Sequence, residues 1–529
     1  RKESSAASDV YKRQKLAKIS ALPQIQGSSM TINEICAIGK VEQNEQSTQI
    51  IQQYQDYITR WLDSDEFKQN HAQKPYPPLI NPAKMEYEGS DPLHAWVLNM
   101  PLPKYYDFVA FGSHASGFHS AIPAFMGLCG VMRTMLIRED YSTPQRYKGS
   151  KGNYIRIFEE LLRYRVCGFK RVYLQLTDMV FDEDTKKLYS LIDASKALNV
   201  VRDPIKVLTG MAACPHRPEM MVIKDNQECA FGLTLDKNPH QILKNYIYYC
   251  NSGLTTDVRS DEISLMPNIN SIDLWLCDPS QSFHDGATFN LLSASLKNIK
   301  LKQTDDFVGD KAFDTMCELA EHFGFDKPKE EDKWLFEQRV SDYKHLIPMH
   351  LYAHPNMLLY TDKKLKTPTQ LSQELVDESA KLAVISQFEP RNFTAKHLDI
   401  SELFELADPT LCVFLHGYED GIKLLKNPKL LKKCQKYIKE LSSAMKDKAI
   451  EEKTKKFSVD DAIEYFKTHK LQRQILKFSM KQHLFMLEKF QPDIIQSWQG
   501  YQRFLELCKD DEPLNPDDLN GTQAQVVAY

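Results

Sequence analysis

The sequence predicts an α/β fold: a three-layer, mainly parallel sheet with helical additions at its N- and C-terminal ends. Three observations predict it. Asp107–Gly112 (DFVAFG) is a short apolar run ending in small residues, and a helical pattern follows from Ser120. Phe169–Thr177 and Ala197–Arg202 are further short apolar runs that alternate with helical stretches. After about Leu415 the chain becomes Lys-rich and helical. Strands alternating with helices argue for a parallel sheet covered on both faces.

Composition sets the frame. At roughly 150 residues per domain, 529 residues allow two or three domains. The chain is 42% hydrophobic and 26% charged, enough apolar material for a sizeable core. Its net charge of −4 comes from 67 basic and 71 acidic residues. That near-balance argues against nucleic acid as the main partner. The 11 cysteines are widely spaced and none forms a Cys-x-x-Cys pair. They read as reduced thiols of a cytoplasmic protein, not a disulfide framework or a zinc site.

Residues 1–14 resemble translated sequencing-adaptor sequence and are set aside from fold reasoning; Met30 is one place where the chain could start. Residues 15–74 form a polar region with a helical pattern from Gln49 to Lys68 (Ile50, Ile51, Tyr54, Tyr57, Ile58, Trp61, Leu62). Prolines 75, 77, 78, 82 and 92 mark an irregular lead-in. Residues 75–330 are read as the α/β core and 331–415 as its continuation or cover. Residues 416–510 are the Lys-rich helical region, broken at Asn427–Pro428, and 511–529 a polar, disordered tail.

Within the core, Ser120 is the expected N-cap, with Pro123 tolerated in the first turn. Ile122, Phe125, Met126, Cys129 and Met132 continue at helical spacing. Phe118–Ile137 is the best membrane candidate, but His119, Pro123 and Arg133 interrupt it. A spanning helix wants about 20 apolar residues, so a buried core helix is expected and no transmembrane segment. Asp182–Lys196, His240–Cys250 and Lys311–Phe323 read as helices. Met220–Lys224, Ile272–Cys277 and Ile299–Gln303 read as strands.

The loop FGSHASGFHS, Phe111–Ser120, is the first candidate site. A loop between a strand end and a helix start presents backbone N–H groups and a positive helix end, which together bind phosphate or sulfate. Gly112, Ser113, Ala115, Ser116 and Gly117 let an anion approach, and Ser113, Ser116 and Ser120 add hydroxyls. His114 and His119 add charge or acid–base capacity. The plain reading is a Ser/Gly strand-to-helix turn. With no G-x-x-x-x-G-K-[ST] pattern and no Lys in the loop, an ordinary ATPase is disfavoured.

The second candidate is VVRDP, Val200–Pro204, followed by Thr209. An Arg at a strand's C-terminal end lies on the edge where open α/β sheets bind ligands, and its fork suits phosphate. Its plain reading is an Arg–Asp pair at a Pro-marked turn. A third piece, Lys302–Phe325, runs from strand through an acidic turn into an amphipathic helix and reads by itself as core packing.

Taken in order, these three pieces resemble the P-loop sulfotransferase pattern. That resemblance gives the first loop the 5′-phosphosulfate of 3′-phosphoadenosine 5′-phosphosulfate, or the equivalent part of another nucleotide donor. It gives Arg202 and a following hydroxyl the 3′-phosphate. By that resemblance Ser116, Gly117, Arg202 and Thr209 inherit donor-binding roles; the loop reading adds Gly112, Ser113 and Ser120 to them, and His114 and His119 as the catalytic candidates. The chain departs from the pattern twice: His114 stands nearest to where the family has a Lys, and Gly210 stands where it has a Ser, with Thr209 one residue early.

A closer resemblance is to an uncharacterised bacterial family of capsule and surface-polysaccharide loci in epsilon-class proteobacteria. It rests on PYPPL-x-x-P (Pro75–Pro82), N-x-P-L-P-x-x-Y-D-F (Asn99–Phe108), V-R-D-P-I (Val201–Ile205) and F-x-T-x-x-x-L-A-x-x-F-G-F (Phe313–Phe325). It implies a transferase modifying glycan; joined to the sulfotransferase-like order, the expectation is a cytoplasmic transferase moving a sulfuryl or phosphoryl-type group from a nucleotide donor to a glycan hydroxyl. The alternatives are a nucleotide-sugar glycosyltransferase, for which Asp182–Asp184 is the nearest Asp-x-Asp, and a non-catalytic protein on a degenerate P-loop-like fold.

His216, His284 and His345 are further candidate bases. His350 and His354 would share a helix face, but no acidic third ligand is spaced to join them, so no metal is expected. The lysines after Asp420 read as a solvated face, with contact to a membrane surface or an acidic glycan as the sharper alternative.

Overall fold

A computed structural model describes residues 29–136, 144–176, 182–216, 231–250, 263–277, 283–361, 369–388 and 397–514. In chain order its strands are β1 (Phe108–Gly112), β2 (Met132–Met135), β3 (Val172–Leu176), β4 (Lys196–Val201), β5 (Phe231–Thr234), β6 (Tyr249–Cys250), β7 (Ile263–Ser264), β8 (Asn298–Gln303), β9 (Met349–Ala353), β10 (Thr369–Gln370), β11 (Ala380–Ser386), β12 (Leu398–Asp399) and β13 (Leu411–Leu415). A five-stranded sheet has the order β2-β3-β1-β4-β8. β3 runs parallel to β1 and to β2, with Tyr173 opposite Phe108 and Val172 opposite Met132. Every residue of β1 and β3 is buried, as expected of parallel strands covered on both faces.

The chain divides into two units. One comprises Arg1–Phe111, Met132–Leu198 and Thr288–Lys300; the other comprises Gly112–Val131, Asn199–Ala287 and Leu301–Tyr529. In the first, the amphipathic N-terminal pattern folds as helix Glu45–Asp63. It opens with a capping box between Asn44 and Ser47 and buries Ile50, Ile51, Ile58, Trp61 and Leu62. The proline-rich lead-in is held by its own carbonyls. Trp61 Nε1 donates to Pro78 at 2.9 Å, and Asn99 Nδ2 donates to Pro77 at 3.0 Å and Gly39 at 2.7 Å.

The second unit contains a six-stranded sheet, β10-β5-β9-β11-β13-β12. Its pairings are antiparallel except β5 with β9. Residues 331–415 supply every strand but β5. Helix Pro428–Thr454 belongs to the same core as this sheet: Cys434, Tyr437, Leu441 and Met445 cluster with Leu351, Leu382, Val384 and Val413. Asn427 caps that helix by accepting from Leu430 N at 3.0 Å, which makes Asn427–Pro428 a helix start as well as a break. The helices from Val459 to Leu507 cluster with Pro204–Ala212 around Val207, Leu208, Met211, Phe466, Leu476 and Phe504.

Several predicted elements change. Ile272–Cys277 is a helix, not a strand: Ile272, Trp275 and Leu276 are buried together at i, i+3 and i+4. The helix after Ser120 ends at Leu128 because Gly130 turns left-handed (φ 72°), and Met132 enters β2. Over its described residues, to Leu136, the Phe118–Ile137 stretch is therefore helix, turn and strand, and Ile137 lies outside them. Among the described residues no helix is long and apolar enough to cross a membrane. Asp182–Lys196 is helical only over Thr185–Ser190, and His240–Cys250 only to Leu243 before Tyr249 enters β6. Lys311–Phe323 folds as read and ends at left-handed Gly324. Met220–Lys224 and residues 515–529 lie outside the described residues.

Asp203 joins two of these helices. Its Oδ1 accepts from Ile205 N at 3.0 Å and caps Pro204–Ala212. Its Oδ2 accepts from Gly500 N at 2.9 Å and Tyr501 N at 3.3 Å, at the start of helix Gln499–Leu507. Gly500 has no room for a side chain, since a Cβ would lie 2.7 Å from that oxygen. One buried carboxylate thus satisfies two helix N-termini. Asp203→Ala is expected to lower stability by about 2–4 kcal/mol, two caps' worth, with Asp203→Asn losing less. Urea denaturation of the three proteins measures it.

Candidate functional site

β1 ends in glycine because nothing larger fits. A Cβ on Gly112 would lie 2.6 Å from the Val200 carbonyl oxygen of β4. The loop beyond turns through two left-handed residues, Ala115 (φ 52°) and Gly117 (φ 77°). Glycine adopts this freely; alanine does so at about 1–2 kcal/mol, and such strain concentrates at functional sites. Ser116 is fully buried and donates to the Ser113 carbonyl at 2.5 Å. Thr304, just past β8, offers its hydroxyl to the carbonyls of Ser116 (2.7 Å) and Val201 (3.2 Å). The third sequence piece, read as packing alone, thereby fixes the loop. Ser120 holds the N-cap position of helix Ala121–Leu128, without a side-chain cap bond.

Arg202 reaches the same loop. Its Nη1 donates to the Ala115 carbonyl, and its buried Nε has no hydrogen-bond partner among the described residues. Burial pushes the guanidinium below its ordinary value, against the pull of Asp305 and Asp203; it stays charged. Gly210 passes close by: a Cβ there would lie 3.1 Å from the Ala115 Cβ and 3.7 Å from Arg202 Nη1. Thr209 is buried, and its hydroxyl donates back to Lys206 O at 3.2 Å.

Asp285 was not singled out by the sequence reading. Its carboxylate accepts from the hydroxyl and the backbone N–H of Ser113, and from Asn199 Nδ2 at 2.7 Å. Burial raises its proton affinity, and these hydrogen bonds hold it down. The signal present was the run His284-Asp285-Gly286, which locally reads as a turn. Gly286 explains the packing. A Cβ there would lie 2.1 Å from the Gln482 carbonyl and 2.8 Å from His483 Cα, so the first turn of Asp285–Leu292 rests on the end of helix Lys470–His483.

Several of these groups line one small, narrow cleft. Ser113, Asn199, Arg202, Asp285 and His483 are its polar lining, and Phe283, Leu487 and Trp498 are among its apolar walls. Trp498 is fixed by an Nε1 bond to Gln303 at 2.9 Å. His483 Nδ1 has no hydrogen-bond partner among the described residues, and burial pushes its pKa down to about 4. It is therefore a neutral imidazole at pH 7.

The loop histidines form a cluster with His284. The rings of His114 and His119 lie 4.5 Å apart, and His114 meets His284 edge-on at 6.2 Å. His216 lies elsewhere, buried, with its backbone paired to Tyr248. His350 sits in strand β9, so it shares no helix face with His354. His350 Nδ1 instead meets His416 Nε2 at 3.1 Å, and His354 meets Glu378 at 3.0 Å. Asp182 accepts from Ser150 N (2.8 Å) and Thr185 Oγ1 (3.1 Å), a turn-organising role.

Residues 303–510 match a family model described as a protein of unknown function (DUF2972). No curated protein and no solved structure matches the chain. The matched stretch includes Thr304, His483 and Trp498. Ser113, Asn199, Arg202 and Asp285 lie before it.

The two buried histidines make stability depend on pH. His216 and His483 both have pKa values pushed down to about 4 by burial, against about 6.5 in an unfolded chain. Between those values the unfolded chain binds more protons, so stability falls as pH drops from 6.5 to 4. Replacing both with Gln is expected to flatten that fall by on the order of 1–3 kcal/mol per histidine. Urea midpoints of the two proteins at pH 7 and pH 4.5 measure it.

Proposed function

We propose that the chain is a group-transfer enzyme on a P-loop-like, sulfotransferase-like sheet. It moves a sulfuryl or phosphoryl-type group from a nucleotide donor, such as 3′-phosphoadenosine 5′-phosphosulfate, to a glycan hydroxyl. One observation carries the reading. The Phe111–Ser120 loop follows β1 and Arg202 follows β4, and in the order β2-β3-β1-β4-β8 those neighbours are where the sheet reverses direction of growth. Open α/β sheets bind ligands in the crevice at such a switch point, outside the carboxyl ends of the strands.

Each group then has a role. Arg202 holds the anionic part of the donor, its Nε and remaining N–H groups turned to phosphate or sulfate oxygens. The acceptor oxygen attacks in line, the bridging bond to the nucleotide breaks, and the acceptor proton passes to Asp285. A carboxyl with raised proton affinity serves better as a base than an exposed one. His114 and His119 face the charge that develops on the leaving phosphate. The rate gain comes from positioning and charge stabilisation.

A specific observation favours a second reading, in which the loop is non-catalytic. The Asp285 carboxylate already takes the Ser113 hydroxyl and N–H that a bound anion would use.

Calorimetry with 3′-phosphoadenosine 5′-phosphate separates them. Arg202→Ala is expected to weaken binding about 10–100-fold, with Arg202→Lys in between. Asp285→Asn is expected to keep nucleotide binding and lower turnover about 100-fold or more. Absence of binding to the native chain, or equal binding by Arg202→Ala, rejects the donor site and leaves the non-catalytic reading.

A further inference from the structure

The lysines after Asp420 do not act alike. Lys423 donates to the Ser379 carbonyl at 3.2 Å, Lys433 to Met357 at 2.8 Å and Pro355 at 3.2 Å, and Lys439 pairs with Glu405 at 2.7 Å. These three fasten the C-terminal helices to loops of the second sheet. Lys436 lies over the Tyr360 ring at 5.7 Å. Lys426, Lys429 and Lys432 are exposed, and no hydrogen bond or ion pair engages their ammonium groups among the described residues.

Those three follow an exposed apolar stripe along the chain. Helix Tyr418–Leu425 turns Asp420, Gly421 and Leu424 inward. Its outer face shows Tyr418, Ile422 and Leu425, at i, i+4 and i+7, which are 74%, 37% and 53% exposed. Leu425 leads directly into Lys426 and, through the Asn427–Pro428 turn, to Lys429 and Lys432. Glu419 is exposed on the same helix.

We propose that this corner, Tyr418 to Lys432, docks the protein on the surface of an anionic phospholipid bilayer. Tyr418, Ile422 and Leu425 enter the boundary between headgroups and acyl chains, and the three lysines meet lipid phosphates. Large apolar side chains beside uncommitted lysines are the composition of an interfacial contact. A polyanionic glycan would engage the lysines and leave the aliphatic stripe in water. A second copy of the chain would set like charges against each other. Three side chains also fall short of the roughly 800 Å² per partner that a stable protein interface buries.

Co-sedimentation with vesicles tests this. The full chain is expected to pellet with equimolar phosphatidylglycerol–phosphatidylcholine vesicles at low salt, to be released by high salt, and to stay in solution with phosphatidylcholine alone. Ile422→Ser/Leu425→Ser and Lys426→Glu/Lys429→Glu/Lys432→Glu should each cut binding about tenfold or more, with thermal melts unchanged because the residues are exposed. Should the serine pair lower the melting temperature, Tyr418→Ser serves in its place. No pelleting of the native chain with anionic vesicles overturns the proposal. So does native-like binding by either variant set, or a dimer in light scattering that Ile422→Ser/Leu425→Ser dissolves.

Discussion

The carboxylate of Asp285 draws together parts of the chain that sequence holds far apart. Ser113 lies just past β1 and Asn199 within β4, and both donate to it. A buried carboxylate is costly unless its lone pairs are met. Here the partners come from the loop and the strand that flank the switch point, so satisfying the charge also sets the loop. Gly112 permits the strand ends to touch, and Gly286 permits the first turn of Asp285–Leu292 to lie flat on the end of helix Lys470–His483. Without these two glycines the donors and the acceptor would not meet.

Asp203 does similar work one residue beyond Arg202. By capping two helices it fixes the backbone that carries the guanidinium, and it seats the C-terminal helix whose Trp498 walls the cleft. The R-D-P segment therefore divides its labour. The Arg faces the loop, the Asp holds the helices, and the Pro starts one of them. In the same way the C-terminal region completes the cleft through His483 and Trp498.

Local signals were legible where one element explained itself. DFVAFG and FKRVYLQLT are apolar runs of strand length, and KAFDTMCELAEHF has the helical period and a glycine stop. The position of Arg202 at a strand end was legible for the same reason. Ile272–Cys277 was misread because IDLWLC suits either period, and only packing of Ile272, Trp275 and Leu276 on one side decides. The second sheet was missed because its strands are short and paired across long separations, as in Leu382 opposite Leu415. Asp285 was missed for a related reason: its partners stand 172 and 86 residues away, and nothing local marks a carboxylate that will be buried.

In the proposed function the loop after β1 and Arg202 after β4 form one anion-recognising cleft. A crystal structure of the chain soaked with 3′-phosphoadenosine 5′-phosphate tests it most directly. A phosphate is expected within hydrogen-bond distance of the Arg202 guanidinium, at the mouth of the cleft bounded by Ser113 and Asp285. Nucleotide density at any other place, with Arg202 still bonded only to Ala115, would contradict it.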